Sequence, residues 1–460
     1  MNRYFEPGER LPGKPKVLFS VRRHSGVNLD GGEWVWKTVF VGPFEASGVG
    51  TADVFFNDEA YHALGAQGMN EAFYRLCAEN RYDAVMHYWM PHWLQWHLNL
   101  DMETIFKIRS ELNIPILSIW LDTWCANYAK QYEAMLPFYD LTVVTDSLEH
   151  VQHIPEHAGK CLNLCPPPDT RLFHDPGLTR DIELCFCGTR GIGQRQEYLE
   201  ALSQSGLPFE QHGGYGGSHI PLAEYARIFQ RAKISLNFSQ TMIGRRTLKG
   251  RVMESTLCGA LLLEEDNAET RRYFTPYDHY VPFQDEKDLL EKAAYYVAHP
   301  EEAQAIAQRG KRRAEELARP EYFWGRVMDE LFARDNFDAE LASRQIQVAS
   351  EIIKALKPQI FPLPKSAETL RGKRVAIWGT GSMYREKYAA WLKESNGAFA
   401  FWGFVDSNKA NWGTLVDGHP VHPSTNLEEV GLDAIIFATW AAAGIINELH
   451  SQGMTMQYYI

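Results

Sequence analysis

In the stretch ISLNFSQTMIGRRTLKGRVMESTLCGALLLEE, Arg245, Arg246, Lys249 and Arg251 fall within seven positions, and Glu254 follows Arg251 by three. Cations packed that closely can neutralise a phosphate-bearing ligand, the guanidinium groups in bidentate fashion. On a helix starting here Arg251 and Glu254 share a face, so the carboxylate could accept hydrogen bonds from ribose hydroxyls beside the anion. The competing reading is a solvated basic face with an internal Arg251–Glu254 pair. Upstream, the run IELCF leads into Cys187-Gly188-Thr189-Arg190-Gly191-Ile192-Gly193-Gln194-Arg195, which opens a helical pattern. Such a glycine loop offers backbone N–H groups and a helix dipole to an anion, and it carries two guanidinium groups.

Two further positions could act on a second substrate. Asp122 ends the run SIWLD, where a carboxylate can serve as general base or bind a sugar hydroxyl, or else cap the following helix. His24 lies in RRHSGVNLDGG, Arg22 to Gly32, which reads either as a ligand loop or as an ordinary strand-to-helix turn. The aromatic segment MHYWMPHWLQWHLNL, Met86 to Leu100, reads as packing or as a sugar platform. Its His92 and His97 are five apart, which is off the four-residue spacing of two ligands on one helix face. The close cysteine pairs Cys161/Cys165 and Cys185/Cys187 lack the knuckles of a zinc site and read as core thiols, so no metal site is predicted.

These residues need strands to hold them. Apolar runs at Lys16 to Val21, Ala52 to Phe56, Ala84 to His87, Ile116 to Leu121 and Leu141 to Val144 alternate with helical patterns. A second set follows Pro166 to Pro168: Ile182 to Phe186, Ile234 to Phe238 and Ala260 to Leu263, with helices near Gln196 to Ser205 and Val252 to Cys258. This is the rhythm of parallel α/β layers. From Asp285 to about Leu356 several helices run in series, and the proline-rich KPQIFPLPKS then leads to a third block, again strand, glycine turn and helix (RVAIWGTGSMYREKYAAWL). The expected division is 1–165, 166–356, a linker at 357–370, and 371–460.

Length and composition agree: 460 residues, 45% hydrophobic and 13% aromatic, suffice for roughly three packed domains. The formal charge of −12 argues against nucleic acid and anionic membrane surfaces as partners. The 13 residues from Ala434 to Ile446 form the longest nearly apolar run, short of the ~20 that span a bilayer. With a polar N-terminal segment and seven cysteines, the expected location is the cytoplasm.

LKGRVMESTLCGALLLEE, with the following RRYFTPYDHYVPFQDEKDLLEKAAYYVAHPEEAQAIAQRGKRRAEE and the preceding FCGTRGIGQRQEYLEAL, resembles the donor half of GT-B-fold glycosyltransferases, within them the CgeB-like, spore-maturation-type group. PILSIWLDTW and YDLTVVTDS resemble the acceptor half. The resemblance implies two Rossmann-like domains facing across a cleft and sugar transfer from a nucleotide diphosphosugar (UDP-, GDP- or dTDP-linked) to a hydroxyl on a glycan, protein or small molecule, with no cofactor or metal required. It implies Glu254 at the donor ribose, Lys249 and Arg251 at the diphosphate, and Gly188 and Arg190 at the cleft wall. Asp122 or His24 would orient or deprotonate the acceptor. Seven residues separate Glu254 from Arg246, where retaining relatives carry a second glutamate, so sugar identity stays open. The third block is similar to small Rossmann domains appended to sugar-modifying enzymes. Gly379 and Gly381 match the dinucleotide fingerprint, Tyr384 replaces its third glycine, and Asp406 follows the second strand. That block reads as an NAD(P) or nucleotide site or as a structural, homo-oligomerising module. Two rival readings of the chain follow: a nucleotide-sugar oxidoreductase or epimerase, and a non-catalytic sugar-nucleotide sensor or scaffold.

Overall fold

Among the described residues, nineteen strands build three mostly parallel sheets in this computed structural model. The structure describes residues 4–24, 36–91, 93–123, 125–146, 158–188, 195–213, 220–241, 246–334, 337–364, 366–395, 397–425, 427–439, 442–451, 453–454 and 456–460. The first sheet comprises β1 (Phe5–Glu6), β2 (Lys16–Val21), β3 (Thr51–Phe56), β4 (Ala84–His87), β5 (Ile116–Trp120), β6 (Leu141–Val144) and β7 (Cys161–Asn163), in the order β1-β3-β2-β4-β5-β6-β7. Only the β1–β3 pair is antiparallel. The second sheet comprises β8 (Ile182–Cys187), β9 (Phe209–His212), β10 (Ala232–Asn237), β11 (Leu261–Glu265) and β12 (Val281–Phe283), all parallel, in the order β12-β11-β10-β8-β9. Central parallel strands are covered on both faces, which is why VLF, LCF and LLL are unbroken apolar runs with no alternation.

The third sheet comprises β13 (Ile360–Phe361), β14 (Arg374–Trp378), β15 (Ala400–Asp406), β16 (Leu415–Val416), β17 (His419–Pro423), β18 (Ala434–Phe437) and β19 (Gln457–Tyr459). Its order is β13-β19-β18-β14-β15-β17-β16, parallel except at β16–β17. The first two sheets belong to one compact unit, residues 1–124 with 131–350, and the third to another, 351–460 with 125–130. The architecture is therefore α/β with three sheets of Rossmann-like strand order.

The core over the first sheet gathers Phe19, Phe40, Phe44, Met86 and Ile119 with Trp324, Val327, Met328 and Leu331. These last four come from helix Trp324–Ala333, which follows the second sheet in sequence yet packs on the first. The Trp324 ring meets Phe44 and Phe19 edge-on, at 5.0 and 6.1 Å between centroids. All seven cysteines are free thiols. Among the described residues no helix is long and apolar enough to cross a membrane, and no group of His, Cys, Asp and Glu could hold a metal ion.

In each sheet the chain leaves its central strand to one side and returns on the other, between β2 and β4, β8 and β10, and β14 and β18. Crevices open at the carboxyl ends of strands at such points. Val21, Cys187 and Trp378 end the three central strands, so the segments beginning at Arg22, Gly188 and Gly379 line those crevices.

Candidate functional site

The crevice of the second sheet is built around one ring. Gly188, directly after β8, has φ +151°, and a Cβ there would lie 3.0 Å from the Phe186 ring and 3.2 Å from Arg251 Nη1. The glycine thus permits the guanidinium to approach the end of the strand. Arg251 sits in the first turn of helix Gly250–Leu257, 5.7 Å from the Phe186 centroid, and its Nε donates to Asn237 Oδ1 at 2.8 Å. Asn237 closes β10 and donates from Nδ2 to Glu264 Oε2 at 2.7 Å. Arg195, which begins helix Arg195–Gln204, is 4% exposed, with its guanidinium 5.6 Å from the Phe186 ring and 5.5 Å from that of Phe238. Burial, then the Arg251 charge, pushes the Arg195 guanidinium down to about 10, against the pull of Glu265 and Glu264.

Lys249 occupies the N-cap of helix Gly250–Leu257. Burial pulls its ammonium below the usual lysine range; Arg251 and Arg195 add to this, while the carboxylates of Asp122 and Asp146 oppose it. Those carboxylates follow β5 and β6 of the first sheet, so Lys249 feels anions from one sheet and cations from the other. Asp146 is itself buried and accepts from Thr123 Oγ1 at 2.6 Å. Asp122 is exposed, with φ +57°.

Glu254 turns away from Arg251. Its Oε2 accepts from the Tyr225 hydroxyl at 2.7 Å, and no Arg251–Glu254 ion pair is present among the described residues, so the internal pair read from the sequence is replaced by Arg251–Asn237 and Tyr225–Glu254. Three-residue spacing permits that pair, but Asn237 and Tyr225 offer each side chain a nearer partner. Burial pushes the Glu254 carboxyl above the usual range, with Tyr225 and Arg251 opposing. Behind the cations, burial raises Glu264 to about 8. Glu265 pairs with Arg246 at 3.1 Å and accepts from Gln240 N at 2.9 Å, pinning the loop after β10.

Of the sequence-predicted residues, the structure brings together Gly188, Lys249, Arg251 and Glu254, with Asp122 reaching Lys249 through its charge. His24 belongs to a different cluster. Asp58 accepts from the backbone N–H groups of Arg23 and His24 at 2.9 and 2.8 Å, and Glu59 lies 3.4 Å from His24 Nε2. It follows β2, two strands from β5, so the backbones bearing His24 and Asp122 are roughly 10 Å apart across the sheet. Arg190, Arg245 and most of the loop after His24 lie outside the described residues, as does His92. Gly379, Gly381 and Asp406 belong to the other unit. Arg195, Asn237, Tyr225, Asp146 and the Glu264–Glu265 pair were missed as site residues. Arg195 closes the glycine loop and the two glutamates end ALLLEE, so a residue-by-residue reading of strand ends would have found these three.

The fold and this site define an α/β protein with a cation cluster at the carboxyl-end crevice of a parallel sheet, an arrangement suited to a compact anion. Residues 194–333 match the family described as "Glycosyl transferase-like". No curated protein matches the chain. Similar solved structures include sucrose-phosphate synthase from Thermosynechococcus elongatus (14% identity over 69% of this chain and 89% of that one, TM-score 0.45). Others are Anabaena Alr3699/HepE in complex with UDP and glucose (10%, 73% and 99%, 0.44) and an α-glucosyltransferase in complex with UDP-glucose and DNA containing an abasic site (11%, 70% and 100%, 0.47).

Proposed function

We propose that this chain is a GT-B-type glycosyltransferase that moves a hexosyl or related group from a nucleotide diphosphosugar to a hydroxyl acceptor. One observation carries the reading: Arg195 and Arg251 converge on the Phe186 ring at the switch point of the second sheet, and Lys249 caps the helix that bears Arg251, a group of cations that a compact anion entering the crevice would bridge. A diphosphate leaving group would do so. As the bond from the anomeric carbon to the phosphate oxygen breaks, negative charge grows on that oxygen, and fixed cations stabilise it without reorganisation. Glu254, whose carboxyl burial raises above the usual range, would accept a hydrogen bond from the ribose diol. Asp122, beside Lys249 in charge though on the other sheet, would orient or deprotonate the acceptor hydroxyl.

The match at residues 194–333 supports the same activity. In this reading residues 1–165 serve the acceptor and 166–356 the donor, the linker 357–370 leads to the accessory block 371–460, and the protein belongs to the CgeB-like group and works in the cytoplasm. The cation cluster replaces a metal ion at the leaving group. The test is a thermal-shift screen of UDP, GDP and dTDP with and without a chelator, followed by donor hydrolysis with the matching nucleotide sugar. A rise in melting temperature with one base, unaffected by chelator, is expected. If none of the three raises it, the donor reading fails.

A further inference from the structure

Beside helix Pro300–Leu317, which packs on β11, opens a cavity of about 420 Å³ that shares no residue with the crevice at Gly188. That volume is within the range of small-ligand pockets, about 300–1,000 Å³. Five of its lining residues are arginines: Arg271 and Arg272 at the end of helix Ala268–Arg271, and Arg309, Arg312 and Arg313 on the long helix. In a chain of formal charge −12 this is a local reversal of sign. Close packing builds the site. A Cβ on Gly310 would collide with the His279 carbonyl oxygen, so only glycine lets the helix press against the turn at 275–280. Arg309 and Arg313, one helical turn apart, then fasten the adjoining backbone. Arg309 Nε donates to the Asp278 carbonyl oxygen at 3.0 Å and to Asp278 Oδ1 at 2.6 Å, and Arg313 Nε donates to the Tyr273 carbonyl oxygen at 2.9 Å.

Anchored through Nε, these guanidinium groups keep their outer ends for something else. Arg313 Nη1 donates to Glu316 Oε2 at 3.1 Å, while Arg313 Nη2 and both terminal nitrogens of Arg309 have no partner among the described residues. Arg312 stands exposed beside them and makes no hydrogen bond or ion pair among the described residues. The nearby acids do not cancel this. Asp266, Glu269, Asp278 and Glu316 pair with Arg271, Arg272, Arg309 and Arg313 in turn, which leaves Arg312 over. Asp278 and Glu316 are exposed, and exposed pairs hold weakly. Arg309, Arg312 and Arg313 fall at positions i, i+3 and i+4, so they share one face of the helix. That arrangement suits a phosphomonoester, a dianion whose oxygens accept from more than one guanidinium fork at once, better than the singly charged carboxylate of a peptide.

We propose that this cavity binds a phosphate group through Arg309, Arg312 and Arg313, the group belonging to a free phosphorylated small molecule or to a lipid headgroup. The proposal does not rest on the glycosyltransferase reading. The experiment is calorimetry of the full chain with inorganic phosphate and pyrophosphate, and co-sedimentation with phosphatidylcholine vesicles with and without phosphatidic acid, whose headgroup is a phosphomonoester. Wild type is compared with Arg251→Ala, which weakens the donor crevice, with Arg309→Gln and Arg312→Glu, and with Arg344→Glu. The last makes the same change of net charge on helix Ala339–Ala355. Arg312 has no partner to lose among the described residues, so Arg312→Glu tests the site without breaking an internal bond. At least one probe is expected to bind wild type, Arg251→Ala and Arg344→Glu alike. Arg309→Gln and Arg312→Glu should each weaken it by about tenfold or more, as expected for losing a charge-assisted bond. Binding of phosphate or pyrophosphate with no capture by either vesicle assigns the site to a free ligand. Capture by the phosphatidic acid vesicles alone, reversed by inorganic phosphate, assigns it to a headgroup. If no probe binds, or if Arg312→Glu weakens binding no more than Arg344→Glu does, the proposal is overturned. Binding that is lost only in Arg251→Ala also overturns it, and belongs to the donor crevice.

Discussion

Replacing Arg251 by alanine should separate ligand binding from stability. In the free protein the Arg195 and Arg251 guanidinium groups lie 5.6 and 5.7 Å from the centroid of the Phe186 ring, so they are at most about 11 Å apart. At an effective dielectric of about 20, two such charges repel by at least about 1.5 kcal/mol, and Lys249 adds to this. The relay from Arg251 through Asn237 ends on Glu264, whose carboxyl is raised to about 8 and so is mostly uncharged at neutral pH. It therefore offsets little of the repulsion. Losing the 2.8 Å bond to Asn237 costs about 1 kcal/mol, which relief of the repulsion offsets. Arg251→Ala is thus expected to leave the melting temperature of the free protein unchanged or slightly higher. A charge-assisted bond to phosphate is worth about 1.5–3 kcal/mol, so affinity for the nucleoside diphosphate should fall roughly 10- to 150-fold. Arg251→Lys, which keeps the charge and loses the fork, should fall between. Thermal denaturation with and without nucleotide, together with calorimetric Kd values, measures both quantities. A variant that melts several degrees lower yet keeps the full ligand-induced shift would refute the reasoning, because Arg251 would then be holding the fold and not the anion.

Tyr225→Phe removes the 2.7 Å donor to Glu254 and leaves a buried carboxyl short of a partner. Urea denaturation should show a loss of about 1–3 kcal/mol, and an unchanged midpoint would mean the bond carries no weight. Glu264, raised to about 8 by burial, binds a proton in the folded state that the unfolded chain releases near pH 4.5. Its contribution is full at acid pH and is lost as pH rises from about 4.5 to 8, so Glu264→Gln should flatten the melting-temperature profile there; parallel profiles would contradict this. His87, fully buried with Nδ1 3.0 Å from the Tyr139 hydroxyl, is lowered to about 3, the opposite case. Its contribution is present above about pH 6.5 and lost as pH falls towards 3, and His87→Asn should make the protein less acid-sensitive than wild type in the same scan. Trp324→Ala should cost about 3–5 kcal/mol in chemical denaturation. A loss under 1 kcal/mol would mean that helix Trp324–Ala333 is not integral to the core of the first sheet.

The central strands were legible because their runs are apolar on both faces, and KVLFSV, AVMH and LTVV fold as read. Where a strand carries charge the pattern fails. The apolar run ALLL ends at Leu263, yet β11 continues through Glu264 and Glu265, because Asn237, Asn267, Arg246 and the Gln240 amide satisfy those carboxylates from other parts of the chain. FEQH, half-exposed at the sheet edge, has no apolar run to betray β9. In the site, the cation cluster was visible as a spacing, but which cations converge was not. In the sequence Arg195 stands only as the end of its glycine loop, and it meets Arg251 because β8 and β10 are neighbours and both guanidinium groups approach the Phe186 ring. Asp146, in an ordinary TDS turn, gains meaning only from the order β5-β6 that sets it beside Thr123.

The formal charge of −12 and a cluster of three mutually repelling cations are two parts of one electrostatic design. At physiological salt a charge is screened beyond about 8 Å, so the acidic surface repels only what lies close along it, and the cluster acts only within the crevice. A polyanion must lie along the repelling surface to reach the crevice. A single diphosphate need only enter it. The repulsion also has a use in the proposed reading, since cations held by Asn237, Phe186 and the pinned loop after β10 would already be placed when charge develops on a leaving group. Lys249 extends this to the other sheet. Its field comes from Asp122 and Asp146 as well as from the two arginines, so a diphosphate that neutralised the arginines would leave the lysine to the aspartates. His24, beside Glu59 after β2, two strands from β5, has no such charge link to Lys249 among the described residues, so within the proposed reading Asp122 is the residue to handle the acceptor.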